Sequence, residues 1–171
     1  IIQVIEKNSS QAVIRVINGG LIQQNKAVTL NKNIYLPPLT EKDLESLNIG
    51  AKYDIIYFAL SFANTENDVR YLRSIVGSNP KIISKIESIQ GIKNLEAISN
   101  QSDAILIDRG DLSREVSIEN IPLAQKYIIK TVKENDNKVY VATNFLESMI
   151  NNVGPTRAEI NDIYNTLSDG A

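Results

Sequence analysis

The stretch Lys81-Ile82-Ile83-Ser84-Lys85-Ile86-Glu87 decides how the rest of the chain is read. It is apolar and β-prone, yet a lysine and a glutamate stand two residues apart at its end. Side chains two apart in a strand point to the same face. Lys85 and Glu87 therefore project together from the C-terminal end of one strand. If that face looks into a packed interior, both charges need partners, because an unpaired buried charge is very costly. The partners on offer are each other, a metal ion or an anionic ligand. A structural salt bridge is the simplest of these readings.

Working outward, helices alternate with strands. Thr40-Glu41-Lys42-Asp43 opens a helix with an N-cap and an acid three residues on, and Gly50 is expected to close it. Tyr53 to Phe58 reads as a strand running on to Ser61 and Phe62. Thr65-Glu66-Asn67-Asp68 caps a helix that ends at Gly77. After the central stretch come a short helix, about Ile92 to Ser99, and a strand, Asp103 to Asp108, leading into Arg109-Gly110-Asp111. An amphipathic helix is expected from about Ile121 to Asn135, with Leu123, Tyr127, Ile128 and Val132 at helical spacing and Tyr127 and Ile128 in the core. Lys138 to Thr143 reads as a strand and Phe145 to Ile150 as a short helix. Thr156 and Glu159 form a capping box for the last helix.

Strands alternating with helices imply βα units and a parallel sheet. Nearly continuous apolar strands imply cover on both faces. The options are an open doubly wound sheet or part of a (β/α)8 barrel. No Gly-rich dinucleotide fingerprint follows any strand. Polar residues gather instead at strand C-termini: Ser61, Lys85 with Glu87, Asp108 to Asp111, and Thr143 with Asn144. A barrel brings those positions to one mouth, and an open sheet strings them along a crevice. Residues before about Leu36 read differently, as short strands: Ala12 to Ile17, the Asn18-Gly19-Gly20 turn, Ala27 to Leu30 and Asn33 to Leu36. Pro37-Pro38 marks the boundary.

Composition narrows the chemistry. The 171 residues are 43% hydrophobic and 22% charged, with a net charge of −2. Nothing in that balance points to nucleic acid or an anionic membrane. The chain has no cysteine, which excludes disulfides and thiolate metal sites and fits a reducing compartment. It has no histidine, so acid–base work falls to Lys, Asp, Glu, Tyr or Thr. Any metal would meet oxygen ligands, which suits Mg²⁺, Mn²⁺ or Ca²⁺. The chain starts at Ile1 and stops at Asp169-Gly170-Ala171, and both ends read as cut, so a fragment is expected.

Glu87 and Asp111, from neighbouring strand ends, form a hard-oxygen pair suited to Mg²⁺ and a chelating oxyanion. Lys85 beside them can neutralise a phosphate or an enolate. Gly110 lets a ligand approach the backbone, and Thr143 adds a hydroxyl. Together they suit a small anion such as a 2-oxo acid bridged by a metal.

The stretches INGG, LPPLTEKD, LSF at Leu60 to Phe62, KIISKIES with Gly91, RGDL followed by Glu115, LAQK, ATNFLESMI and PTRAE stand in this order along the chain. In that order and spacing the chain resembles the pyruvate kinase family over nearly its whole length. The resemblance implies the end of a small β lid domain over 1–36, followed over 37–171 by about strands 4 to 7, with their helices, of a (β/α)8 barrel. It implies that Lys85 is the catalytic lysine and that Glu87 and Asp111 hold Mg²⁺ or Mn²⁺. It implies that the amides of Gly110 and Asp111, with Thr143, bind the carboxylate of phosphoenolpyruvate, with Lys85 also touching substrate. Lys26 falls where the family has a lysine near the nucleotide phosphates. The implied reaction is phosphoryl transfer from phosphoenolpyruvate to ADP, giving pyruvate and ATP. The implied setting is cytoplasmic, with no nucleic-acid or membrane partner. K⁺, with ligands outside this chain, and a homotetramer at full length are further implications, and the stretch alone is expected to be inactive. PTRAE is read as a capped interface helix.

Departures from the family cluster at the mouth. Asp108 stands where the family has a small residue, usually Ala, and adds a carboxylate beside the amides meant for the substrate. It would weaken anion binding unless it turns away, pairs with an arginine or binds metal. Ser113 and Arg114 replace a glycine and an aliphatic residue, and Arg114 reads as compensation for Asp108. Asn144 and Phe145 replace Gln and Met, and Ala63 and Asn64 stand where an arginine is usual. These changes leave open a Mg²⁺-dependent aldolase or lyase acting through a pyruvate enolate. They also leave open a catalytically altered regulatory or assembly domain.

Overall fold

A computed structural model describes residues 1–21, 23, 24, 28, 30, 34 and 36–171. They fall into two compact units, Ile1–Ile34 and Tyr35–Ala171. The first contains an antiparallel hairpin of β1 (Ile2–Lys7) and β2 (Ala12–Val16), with a bulge between Val4 and Glu6. Asn8 closes its turn by accepting from the amides of Ser10 and Gln11 at 2.9 and 2.8 Å. Both strands are exposed throughout. Most of the expected extended segments after the turn, and Lys26, lie outside the described residues.

The second unit holds a parallel sheet in the order β3 (Tyr57–Leu60), β4 (Lys81–Ile86), β5 (Ala104–Asp108), β6 (Lys138–Ala142). Its helices are α1 (Glu41–Lys52), α2 (Glu66–Val76), α3 (Ile89–Lys93), α4 (Leu95–Gln101), α5 (Arg109–Leu112), α6 (Ile121–Glu134) and α7 (Arg157–Ser168). Spatial order follows chain order without the reversal that defines a doubly wound sheet. The unit is a segment of a (β/α)8 barrel. Capping boxes start three of its helices, at Thr40/Asp43, Thr65/Asp68 and Thr156/Glu159.

Side-chain alternation fixes which way the sheet faces. Ile82, Ser84 and Ile86 are each fully buried, whereas Lys81, Ile83 and Lys85 between them keep some exposure. The buried set continues through Leu60, Ile105, Ile107 and Val139 and packs against Val69 and Leu72 of α2, Leu95 and Ile98 of α4, and Ile128, Ile129 and Val132 of α6. Each such aliphatic stabilises the fold by roughly 1.5–3 kcal/mol. Cover on both faces, expected from the apolar strands, is not what these four strands have. Tyr57 and Tyr140 stand 64% and 48% exposed, because helices cover one face only.

Several boundaries shift from the sequence reading. α1 continues through Gly50 to Lys52. The strand expected from Tyr53 begins only at Tyr57. The single helix expected over Ile92 to Ser99 is two, α3 and α4, meeting at Asn94. The short helix near Phe145 is a 3-10 turn, Glu147–Ile150. Within α6, Ile128 and Val132 are buried, but Leu123 and Tyr127 are 70% and 53% exposed, so Tyr127 is not core. The buried stripe is Ile121, Gln125, Ile128, Ile129 and Val132, which turns Leu123 and Tyr127 away from the sheet.

At the N-terminal end of the sheet, Asp103 ties the parts together. It accepts from Arg73 at 2.6 Å, Lys81 at 2.8 Å and the Ile82 amide at 2.9 Å. Burial works to raise its carboxyl, but these contacts outweigh it and hold the group down at about 2.

Candidate functional site at the C-terminal strand ends

The opposite end of the sheet carries the chemistry. Lys85 Nζ donates to Glu87 Oε1 at 2.6 Å and lies 3.1 Å from Asp108 Oδ2, so one ammonium faces two carboxylates. Glu87 is 1% exposed, and its other oxygen accepts the Phe62 amide at 2.6 Å. Phe62 presents that amide from a left-handed conformation, φ 49°, just past β3.

Asp108 ends β5 and caps the four-residue helix α5, its Oδ1 accepting from the Asp111 amide at 3.5 Å. The same oxygen accepts from Thr143 Oγ1 at 3.2 Å. Asp111 therefore rides on α5 rather than on the strand, and Arg114 pairs with its Oδ1 at 2.7 Å. The Gly110 amide donates to Thr143 Oγ1 at 2.9 Å. A Cβ on Gly110 would lie 3.4 Å from that oxygen and 3.5 Å from Asp108 Oδ1, in van der Waals contact with both.

Thr143, Asn144 and Leu146 all have positive φ, at 69°, 57° and 55°. Such values are uncommon outside glycine and costly for a β-branched threonine. Arg109 holds the bend. Its Nε and Nη2 donate to the Thr143 carbonyl at 3.2 and 2.8 Å. Its Nη1 donates to both oxygens of Asp162 on α7 at 2.9 and 2.8 Å, and its guanidinium lies 3.9 Å from the Phe145 ring centroid. Arg109 is only 7% exposed.

Electrostatics follow from this crowding. Burial works to lower the Lys85 ammonium, but hydrogen bonds and charge from Glu87 and Asp108 hold it above its ordinary value. Burial pushes the Glu87 carboxyl up, and Lys85 and the Phe62 amide pull it only part of the way back. Asp108 is held down: burial opposes ionisation, but Lys85, the Asp111 amide and Thr143 prevail. Glu87, Asp108 and Asp111 each offer an oxygen, all within 4.8 Å of one another. An all-oxygen set of this kind fits a hard divalent cation such as Mg²⁺ or Mn²⁺.

Lys85, Glu87, Gly110, Asp111 and Thr143, singled out from sequence, thus meet in one place. Lys26 lies outside the described residues. Of the outcomes weighed for Asp108, it neither turns away nor takes an arginine; it takes Lys85. Arg114, expected to offset Asp108, pairs with Asp111 three residues before it, on the same turn of chain. The sequence reading missed Arg109 as a clamp. An arginine immediately after a buried strand needs an acid, and Asp162 in the capped last helix was the available signal.

Comparison with known proteins agrees over the same span. A family model described as "Pyruvate kinase, barrel domain" matches residues 1–171. The chain is 40% identical to the "Pyruvate kinase" of Clostridium perfringens over 170 residues, covering 96% of this chain and 36% of that protein. It is also 40% identical to the "Pyruvate kinase" of Methanocaldococcus jannaschii over 174 residues, 99% of this chain and 38% of that protein. A eukaryotic relative, the "Pyruvate kinase" of Dictyostelium discoideum, is 40% identical over 174 residues, 99% of this chain and 34% of its own length. The chain therefore spans little more than a third of the curated relatives it matches. No helix among the described residues is long and apolar enough to cross a membrane.

Proposed function

The chain belongs to the pyruvate kinase barrel-domain family, and on that premise we propose that it carries the metal-binding and phosphoryl-facing part of a pyruvate kinase active site. In the full-length protein the reaction is phosphoryl transfer from phosphoenolpyruvate to ADP, giving pyruvate and ATP. The observation that carries this reading is the meeting of Lys85 with Glu87, Asp108 and Asp111 at the strand ends.

Phosphoryl transfer relies on positioning and charge neutralisation, so a chain without histidine can perform it. Lys85 offsets charge on the transferring group and on the enolate oxygen of the departing pyruvate. Glu87 and Asp111 would hold Mg²⁺ or Mn²⁺, which would supply positive charge to offset the anionic oxygens of the substrate. The Gly110 and Asp111 amides and the Thr143 hydroxyl bind the substrate carboxylate, whose oxygens replace Thr143 Oγ1 and Asp108 Oδ1 as acceptors. Arg109 touches no reacting atom; it positions Thr143. Residues 1–36 belong to a β lid, Lys26 serves the nucleotide phosphates, K⁺ is the monovalent cofactor, and the full-length protein is a cytoplasmic homotetramer.

In the full-length protein, Glu87→Ala should abolish Mn²⁺ binding measured by electron paramagnetic resonance, and pyruvate binding with it. Unchanged binding would remove Glu87 from the site. The 171 residues alone should not make ATP, since among the described residues β3 and β6 leave both sheet edges unpaired. Mg²⁺-dependent ATP formation by this stretch would refute that. A second reading is a lyase cleaving a longer 2-oxo acid through a pyruvate enolate, and the extra carboxylate of Asp108 favours it. Turnover of phosphoenolpyruvate with ADP decides between them.

A further inference from the structure

Asp108 is the one acid at this mouth that the proposed reaction leaves without a task, and it is only 9% exposed. Its role as cap of α5 is thin: the Asp111 amide sits 3.5 Å from Oδ1, and a cap needs neither a full charge nor a lysine. Its closer contacts are Lys85 Nζ at 3.1 Å and Thr143 Oγ1 at 3.2 Å. These three donors are the ones the reading above gives to the anionic oxygens of the substrate.

We propose that Asp108 is an internal anion that occupies the substrate's place, and so a specificity-determining residue of this site. The inference rests on the reading above. An incoming substrate would be a third anion on Lys85, which already answers Glu87 and Asp108, and its carboxylate would compete with Asp108 for the single hydroxyl proton of Thr143. Asp108 must leave. The neighbouring oxygens give it a destination: Glu87 and Asp111, within 4.8 Å, are the acids suited to a divalent cation, and a third carboxylate joins such a set readily. The side chain thus has two uses, on the anion donors without a cation and beside the cation with one. Binding of anion and cation is coupled through it. This site then rejects carboxylate ligands until the cation is bound.

The experiment measures phosphoenolpyruvate binding to the full-length protein by calorimetry, with and without Mg²⁺, for wild type, Asp108→Ala and Asp108→Asn. Asn keeps the size of the side chain and an acceptor for the Asp111 amide, so it controls for damage to α5. Without Mg²⁺, both variants should bind roughly ten-fold or more tighter than wild type, the scale of one charge-assisted hydrogen bond freed for the ligand. With Mg²⁺ the difference should shrink, because Asp108 has already moved, and Mn²⁺ affinity measured by electron paramagnetic resonance should fall in both variants. Equal or weaker metal-free binding in the variants overturns the inference and leaves the proposed function standing. If no form binds phosphoenolpyruvate while all bind Mn²⁺, the substrate reading fails and the inference falls with it.

Discussion

Replacing Asp103 with asparagine tests whether the far end of the sheet is held by charge. The carboxyl is drawn from 3.8 to about 2 by Arg73, Lys81 and the Ile82 amide, against burial. At about 1.36 kcal/mol per pH unit, that fall corresponds to roughly 2.4 kcal/mol favouring the ionised folded form. Lys81 is 57% exposed on its side chain, so its share is screened, and roughly 2 kcal/mol is the working figure. Asparagine retains an acceptor for Ile82 but loses both ion pairs. The folded value is depressed, so the contribution is complete above 3.8 and fades as pH falls through about 2. About half remains at pH 3 by the same linkage relation. Urea unfolding of full-length wild type and Asp103→Asn should differ by roughly 2 kcal/mol at pH 7 and by about half that at pH 3. Taking the difference cancels other carboxylates that titrate in both proteins. A gap that stays constant between the two pH values would show that shape, not charge, gives Asp103 its place.

Two further outcomes follow from packing and clamping. Gly91→Ala puts a Cβ 2.9 Å from the carbonyl oxygen of Ala63, a backbone atom in a fully buried residue, so it should cost roughly 1–3 kcal/mol in the same urea assay. Arg109→Lys keeps a charge for Asp162 but cannot hold the Thr143 carbonyl through two nitrogens, so affinity for phosphoenolpyruvate should fall while the unfolding midpoint moves little, and the reverse pattern would make Arg109 merely structural.

Much of the architecture was legible because it is written locally. Thr40/Asp43, Thr65/Asp68 and Thr156/Glu159 mark helix starts with residues that satisfy orphan amides, and all three form. Strand positions followed from apolar runs. The errors lie where local signals compete with tertiary geometry. Gly50 suggested a helix end, yet α1 passes through it and the chain turns later, at Asp54, with φ 53°. Leu123 and Tyr127 share helical spacing with Ile128 and Val132, but only the register of α6 on the sheet decides which stripe is covered. At the mouth, residue types and strand parity brought Lys85, Glu87, Gly110, Asp111 and Thr143 into view. Partner choice was not legible. Asp108 had several possible partners in sequence, and the distance to Lys85 exists only once β4 and β5 pair side by side. Arg109 was hidden for the same reason, its acid being 53 residues away.

The Lys85–Glu87 pair first admitted a purely structural reading, and their 2.6 Å contact is a real ion pair. Charge balance argues that it is not the whole purpose. Glu87, Asp108 and Asp111 share one small space, and among the described residues Lys85 and Arg114 are the cations paired with them, since Arg109 is committed to Asp162. The set is left one negative charge in excess. Burial pushes the Glu87 carboxyl up, and the charge of Asp108 adds to that push. A structural cluster would relieve it with a neutral residue at one of the three positions, at no loss of fold. Retaining all three acids is costly unless a cation completes them, and a cation completes them best when Asp108 leaves Lys85 and frees it for an incoming anion.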